Sequence, residues 1–258
     1  MKNRTLYYGE GLFETFKVYP GRKIYFVKEH LDRMSSGCCF FDIPFSPALA
    51  RDAISSALKN ISEGVYGRLR LNLMTYGEDT IEKTDYLVSY EETLDSSIQE
   101  QGIMFDLAPF RRFSGSPLVR FKTSSYLENI TSLKWARRRN FFDSVFVNEK
   151  NEITEGSITN LFFVKDNIVT TPLLATGLLP GITRSKVIEI CHANGILLKE
   201  TRILVDELDG FENAFATNSI IEILPIKSIG NVQYTTSSIT SFLHESYRLL
   251  ISCSSYFL

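Results

Sequence analysis

Phe121-Lys122-Thr123-Ser124-Ser125-Tyr126-Leu127-Glu128-Asn129 opens the stretch of this chain whose reading decides the fold, and Ile153-Thr154-Glu155-Gly156-Ser157-Ile158-Thr159-Asn160 closes it. Lys122 follows an aromatic residue and precedes a helical pattern, where a strand end delivers a side chain to a cleft. Glu155 follows Asn148-Glu149-Lys150-Asn151-Glu152, a turn-rich hairpin signal that brings the chain back on itself. A lysine reacts with a carbonyl only after shedding its proton, which burial and neighbouring cations favour. The chain holds 28 Lys+Arg and 30 Asp+Glu. Most side chains of these types are solvated surface, so Lys122 and Glu155 are singled out by their pattern and not by their type.

The pattern K-x-x-x-Y-L followed by E-G-S-x-x-N resembles the fold-type IV pyridoxal-phosphate enzymes, which include the branched-chain and D-amino acid aminotransferases and aminodeoxychorismate lyase. The resemblance implies that Lys122 carries pyridoxal 5'-phosphate as a Schiff base, with Tyr126 beside it. It implies that Glu155 faces the pyridine nitrogen and keeps it protonated, the condition under which the ring works as an electron sink.

Further motifs of that family occur in order along the chain. Tyr8-Gly9-Glu10-Gly11-Leu12-Phe13-Glu14-Thr15 resembles its first strand, which lines the substrate side. Leu12, Glu14, Phe16 and Val18 alternate with Phe13, Thr15 and Lys17, as in a strand. Gly9-Glu10-Gly11 is not a dinucleotide loop, because position 14 is Glu14 and no strand precedes it. Members usually carry an additional edge strand before this point, so that edge is expected to be absent or supplied differently. Glu29-His30-Leu31-Asp32-Arg33-Met34 matches E-H-x-x-R-[LM], in which the arginine binds the cofactor phosphate; the rigid guanidinium fork suits that task. His30 reads as a packed or capping histidine. Gly67-Arg68-Leu69-Arg70-Leu71-Asn72-Leu73-Met74 alternates cleanly, with Arg68 at the family's substrate-side arginine and Tyr8 on the same side.

Leu179-Pro180-Gly181-Ile182-Thr183-Arg184 resembles the motif whose Ile-Thr backbone amides bind phosphate, Leu179 packing on the cofactor ring. A glycine before a helix start is an anion site on physical grounds as well. In Thr217-Asn218-Ser219-Ile220-Ile221-Glu222, Ser219 falls where a hydroxyl meets the phosphate, and Ile220 where a backbone amide meets the substrate carboxylate.

Composition narrows the remaining choices. The chain of 258 residues is 44% hydrophobic and 22% charged with a formal charge of −2, the profile of a globular protein with no nucleic-acid or anionic-membrane partner. No apolar run reaches transmembrane length, and Met-Lys-Asn-Arg-Thr has no signal core. Cys38, Cys39, Cys191 and Cys253 lack C-x-x-C spacing, and the vicinal Cys38-Cys39 read as buried free thiols on a helix flank rather than as a redox pair, in a reducing cytoplasm.

The expected fold is α+β in two parts. One helix starts at Ser46-Pro47 and buries Leu49, Ala53, Ala57 and Leu58; one after Ser124 or Ser125 buries Leu127, Ile130, Leu133 and Ala136. A last helix docks through Phe242, Tyr247 and Leu250, and Lys165-Asp166-Asn167 signals a hairpin turn. An N-terminal open α/β sheet domain covers residues 1–112, an interdomain loop 113–119, and a C-terminal pseudo-barrel domain 120–258, the boundary being marked by the basic, turn-forming run Arg111-Arg112-Phe113-Ser114-Gly115-Ser116-Pro117. The resemblance places the cofactor between the two and implies a homodimer acting on a small amino-group substrate. Thr15, the R-x-R-L-N strand and the short Lys122–Tyr126 spacing favour the lyase, with Thr15 either a proton donor to the leaving group or a strand-favouring residue. An aminotransferase and a non-catalytic binding protein are the alternatives.

Overall fold

The computed structural model describes residues 1–93 and 102–257. The chain divides into two compact units: residues 1–93, Phe121–Tyr126 and 254–257 form the first, and residues 102–120 with Leu127–Cys253 the second.

The first unit contains β1 (Lys2–Asn3), α1 (Arg4–Tyr8), β2 (Leu12–Val18), α2 (Val27–Phe40), α3 (Pro47–Leu58), β3 (Tyr66–Gly77) and β4 (Lys83–Thr93). β3 is the central strand. β4 pairs with it from Tyr66↔Thr93 to Tyr76↔Lys83, and β2 from Val18↔Gly67 to Leu12↔Leu73, all antiparallel. β1 supplies the short extra edge by pairing Lys2↔Gly77 and Asn3↔Tyr76.

Alternation decides the two faces of this sheet. Leu69, Leu71 and Leu73 join Leu12, Phe16 and Val18 in one buried cluster with Leu31 and Met34 of α2 and Ala50, Ile54 and Leu58 of α3. The opposite face carries Phe13, Thr15 and Lys17 against Asn72, Arg70 and Arg68. Ser46 caps α3 by accepting from the Leu49 amide at 3.4 Å, with Pro47 in the first turn, as the sequence indicates. Its buried row is Ala50, Ile54 and Leu58, however, and Leu49 is exposed; Ala53 and Ala57 only flank that row.

The second unit contains β5 (Ile103–Leu107), α4 (Leu127–Arg138), β6 (Asp143–Val147), β7 (Ile153–Gly156), β8 (Asn160–Lys165), β9 (Ile168–Pro172), α5 (Ile182–Ala193), β10 (Leu198–Thr201), β11 (Asn213–Asn218), β12 (Glu222–Ile229), β13 (Val232–Gln233) and α6 (Ser238–Cys253). Its strands form one sheet in the order β10-β9-β8-β11-β12-β5-β6-β7, with β13 added to β12. β10/β9, β12/β5 and β5/β6 are parallel and the other pairs antiparallel. Asp166 and Asn167, both at positive φ, make the tight β8–β9 turn that Lys165-Asp166-Asn167 signals. Phe105, Val145, Leu161, Phe163, Ala214 and Ala216 stand in its core.

The α+β fold class is as expected. The helix stripes are less so. In α4 the buried residues are Ser132 and Ala136, and Leu127 is among the most exposed apolar residues of the chain. α6 buries Tyr247 as read, together with Thr240, Leu243 and Ile251, but leaves Phe242 exposed. All four cysteines are free, yet only Cys38 and Cys191 are buried; Cys39 lies one residue round the helix from Cys38 and faces solvent. Among the described residues no helix is long and apolar enough to cross a membrane.

Candidate active site

In the first unit, β2 ends beside the lysine segment. The Phe13 amide donates to the Lys122 carbonyl at 2.9 Å, and the Ser124 amide donates to the Gly11 carbonyl at 2.8 Å. Gly9 sits at φ 69 directly under Ser125, where any Cβ would collide with the serine Oγ. Gly9 permits that close approach, whereas Gly11 makes room for the Leu73 carbonyl and the Thr5 side chain. Lys122 Nζ lies 4.4 Å from the centre of the Phe13 ring, and Tyr126 packs edge-on to that ring at 5.1 Å. The Arg70 guanidinium stacks on Phe13 at 3.5 Å. Thr15 is the cross-strand partner of Arg70. Arg68, the arginine singled out by motif, is half-exposed and paired with Glu91 at 2.8 Å. Tyr8 is exposed at the end of α1, with the Arg4 guanidinium 5.0 Å above its ring.

On the core side of β2, Glu14 is fully buried. Arg33 grips it bidentately, Nε to Oε1 at 2.8 Å and Nη2 to Oε2 at 2.6 Å. His30 Nδ1 lies 2.7 Å from Glu14 Oε2, and its ring packs on Phe16 at 4.5 Å. Burial pushes the Glu14 carboxyl up, but the charges and hydrogen bonds of Arg33 and His30 outweigh it and hold the group at about 2. Burial pushes His30 down against the pull of Glu14. His30 is thus a packed histidine, as expected.

In the second unit Glu155 is buried and three donors converge on it. Arg112 Nη1 donates to Oε1 at 2.7 Å; the Leu179 amide and Asn160 Nδ2 donate to Oε2 at 3.0 and 3.2 Å. Arg112 is 2% exposed, stacks on Phe146 at 3.6 Å, and also donates to Asn129 Oδ1 at 3.0 Å. Asn160 Nδ2 also donates to the Leu179 carbonyl at 3.0 Å. Gly181, the residue before α5, lies so close to Asn160 that a Cβ would meet its Oδ1. α5 begins without a side-chain cap at Gly181, so the first-turn amides of Ile182 and Thr183 belong to an uncapped helix start. Thr183 is buried, its hydroxyl 3.5 Å from Tyr247 Oη. Arg184 is a structural residue, bonded to the Pro172 carbonyl and Glu200. Ser219 is half-buried just after β11, and the Ile220 amide donates to Asn218 Oδ1 at 2.8 Å.

The structure therefore brings Lys122 and Tyr126 to the Phe13 ring, on the strand face that also carries Thr15, and brings Arg33 to Glu14, the next residue of that strand. It brings Glu155, Leu179 and Gly181 to one turn in the second. Sequence reasoning missed Arg112, read only as part of a basic turn-forming segment, and Asn160, quoted in the motif but given no role. Arg70 shares with Arg68 the strand face that alternation assigns to both, two arginines suited to a carboxylate, although only Arg68 was singled out by motif.

Comparison with known proteins agrees with this geometry. The model of the family "Amino-transferase class IV" matches residues 11–229. The chain belongs to the class IV amino-transferase family. Class IV relatives of nearly equal likeness carry different activities. Aminodeoxychorismate lyase of Bacillus subtilis is 29% identical over 93% of this chain and 85% of its own length. A protein of Rickettsia conorii named "Probable branched-chain-amino-acid aminotransferase" is 29% identical over 96% of this chain and 88% of its own. The branched-chain aminotransferase of Thermoproteus uzoniensis, solved with norvaline, shares the fold with a TM-score of 0.86 at 24% identity, covering 96% of this chain and 88% of that one.

Class IV enzymes are pyridoxal-phosphate enzymes, and this chain is one, a lyase or an aminotransferase. Its residues fit the cofactor. A carboxylate held by a buried arginine and two neutral donors favours negative charge, the requirement for a group opposite a protonated ring nitrogen. The uncapped start of α5 suits a phosphate. A half-buried lysine on an aromatic face suits attachment to an aldehyde.

Proposed function

We propose that this enzyme is an aminodeoxychorismate lyase, converting 4-amino-4-deoxychorismate to 4-aminobenzoate and pyruvate. The observation that carries the reading is Thr15, half-buried on the strand face that also presents Phe13 beneath Lys122. Lys122 would hold pyridoxal 5'-phosphate through Nζ. Arg33, Ser219 and the Ile182 and Thr183 amides would hold its phosphate. Leu179 and Tyr126 would flank the ring, and Glu155 would keep its nitrogen protonated. The bound cofactor supplies a sink for the electron pair left on the amine-bearing carbon.

Lys122 Nζ takes the proton from that carbon. Tyr8 and the Ile220 amide would orient the substrate. The Thr15 hydroxyl gives a proton to the departing pyruvate group. The atoms of substrate and products balance, so no second substrate is needed.

A second reading is transamination, favoured by the equal likeness to an aminotransferase relative and by the ordinary preference of strands for threonine. The deciding experiment supplies aminodeoxychorismate to the enzyme loaded with pyridoxal phosphate, without any oxo acid. The lyase releases 4-aminobenzoate and pyruvate in equal amounts, and Thr15→Val slows release while Lys122→Ala abolishes it. Glutamate formed from 2-oxoglutarate and an amino donor, with no 4-aminobenzoate, would sink the lyase assignment. We further infer a cytoplasmic homodimer; light scattering that returned the mass of a single chain would remove the dimer.

A further inference from the structure

Helix α6 reaches two separate pieces of the proposed phosphate site. Tyr247 is buried, and its Oη lies 3.5 Å from the hydroxyl of Thr183 in the first turn of α5. The next residue, Arg248, donates through Nε to Glu222 Oε2 at 3.1 Å, and His244 Nε2 lies 3.3 Å from the same oxygen. His244, Tyr247 and Arg248 are three and four residues apart, so they share one side of the helix. Glu222 closes the turn that carries Ser219 and Ile220: it is the cross-strand partner of Asn218, where β11 gives way to β12.

Glu222 sits there against its backbone preference. It is 1% exposed and has φ 59, a left-handed conformation that glycine adopts far more readily. What the position uses is therefore the side chain. A buried carboxylate needs partners, and α6 brings two to one oxygen. The other end of the turn is held separately. Asn218 Oδ1 accepts from the amides of Ile220 and Ile221, each at 2.8 Å, and Asn218 Nδ2 donates to the Ile158 carbonyl at 3.0 Å. Tyr247 suits its own part: burial pushes its phenol above the ordinary tyrosine value, against the bond to Thr183, so it remains a neutral hydroxyl.

Thr217 gives an independent sign that these pieces face a ligand. It is fully buried, and among the described residues its hydroxyl has no partner. It stands directly across from Asn160, whose Oδ1 lies against Gly181 at the uncapped start of α5. Opposed residues of an antiparallel pair share a face, so an unmet hydroxyl stands on the sheet face where Asn160 meets that helix start.

We propose that Glu222 and Tyr247 are positioning residues of the cofactor-phosphate site, through which α6 sets the Ser219 turn and the first turn of α5 together. They act through Ser219 and Thr183. The inference rests on the reading that Ser219 and the α5 amides hold the phosphate.

The test compares pyridoxal 5'-phosphate with pyridoxal, which lacks the phosphate, in titrations of the cofactor-free chain followed by visible absorption. Wild type is expected to prefer the phosphorylated form, and inorganic phosphate to compete with it. Glu222→Gln is expected to weaken binding of the phosphorylated form by about 10-fold, the worth of one hydrogen bond to a charged group, and to leave pyridoxal unchanged. Inorganic phosphate should compete correspondingly less in that variant. Tyr247→Phe should shift the same ratio by less, because its contact is the longer one. Ile251→Ala removes a buried side chain at the next turn of α6; it should lower the melting temperature and keep the wild-type ratio. If Ile251→Ala instead lowers the ratio as Glu222→Gln does, the helix gives support alone and the inference falls. A wild type that binds pyridoxal as tightly as the phosphorylated form removes the phosphate reading, and the inference with it. A wild type that prefers the phosphorylated form, with Glu222→Gln and Tyr247→Phe both keeping that preference in full, overturns the inference alone.

Discussion

Glu14 shows how a single residue can follow the pattern of its strand and still break the rule of its chemistry. Alternation assigns it to the face of Leu12, Phe16 and Val18, the face that enters the core, and it is indeed fully buried there. It is tolerated because Arg33 and His30 arrive from α2 on the same side. The carboxyl is held at about 2, below its ordinary value near 4.5, so its contribution to stability is fully present above about pH 4.5 and lost as pH falls toward 2. His30, pushed down by burial, adds a loss in the same direction, beginning as pH falls through the ordinary histidine value of 6.5, where the unfolded chain takes up the proton first. Glu14→Gln leaves two buried groups without their anion and is expected to cost about 3–5 kcal/mol at neutral pH. It should also flatten the decline of stability between pH 4.5 and 2. Denaturant titrations of both proteins across that range check the sign; an unchanged acid slope in the variant would show that the titration lies elsewhere. The motif made Arg33 legible but not its partner, because a glutamate within an apolar alternation carries no mark of the cation that will meet it.

At the scale of elements, strands were legible and helix faces less so. A period of two leaves no choice of phase once one buried residue is placed, and β2, β3 and the β8–β9 hairpin follow it. A short helix with mixed composition admits two neighbouring stripes, and α3 and α4 took the unexpected one. The turn after β7 was legible as a motif but not as a construction. Asp143, fully buried at the start of β6, accepts from the amides of Ser144, Ser157 and Ile158 and from the hydroxyls of Ser157 and Thr159. A lone acid before a strand reads as surface, and only the fold shows that it shapes the Glu155–Asn160 turn. Gly156 lies against Asp143 and Thr159 with no room for a Cβ. Gly156→Ala is therefore expected to lower stability by about 1–3 kcal/mol through overpacking, and to weaken cofactor affinity by displacing Glu155. Thermal melts and a titration with pyridoxal phosphate read the two effects separately; a melt equal to wild type would show that the turn yields without cost.

At the scale of the whole molecule, linear order and spatial grouping part company. The sequence marks a basic, turn-forming segment near residues 111–117, while Phe121–Tyr126 belongs to the first compact unit and Leu127 onward to the second. No composition change marks either crossing, because the exchange depends on Leu12 bridging to Thr123 and Phe13 bonding to Lys122, pairings remote in sequence. The cofactor-binding candidates are split the same way, Arg33 and Lys122 in the first unit and Glu155 and Thr183 in the second. A ligand that binds the native state and not the unfolded one stabilises by mass action, by about 2.7 kcal/mol at one hundred times its Kd. For a chain of this size that corresponds to a rise in Tm of roughly 5–10 °C. Pyridoxal phosphate is expected to raise the melting temperature of the wild type by that amount. Lys122→Ala, which removes the proposed attachment point, should show a smaller rise at the same concentration. A wild-type melt unmoved by saturating cofactor would mean that these residues do not act on one ligand, whatever their resemblance to a family motif.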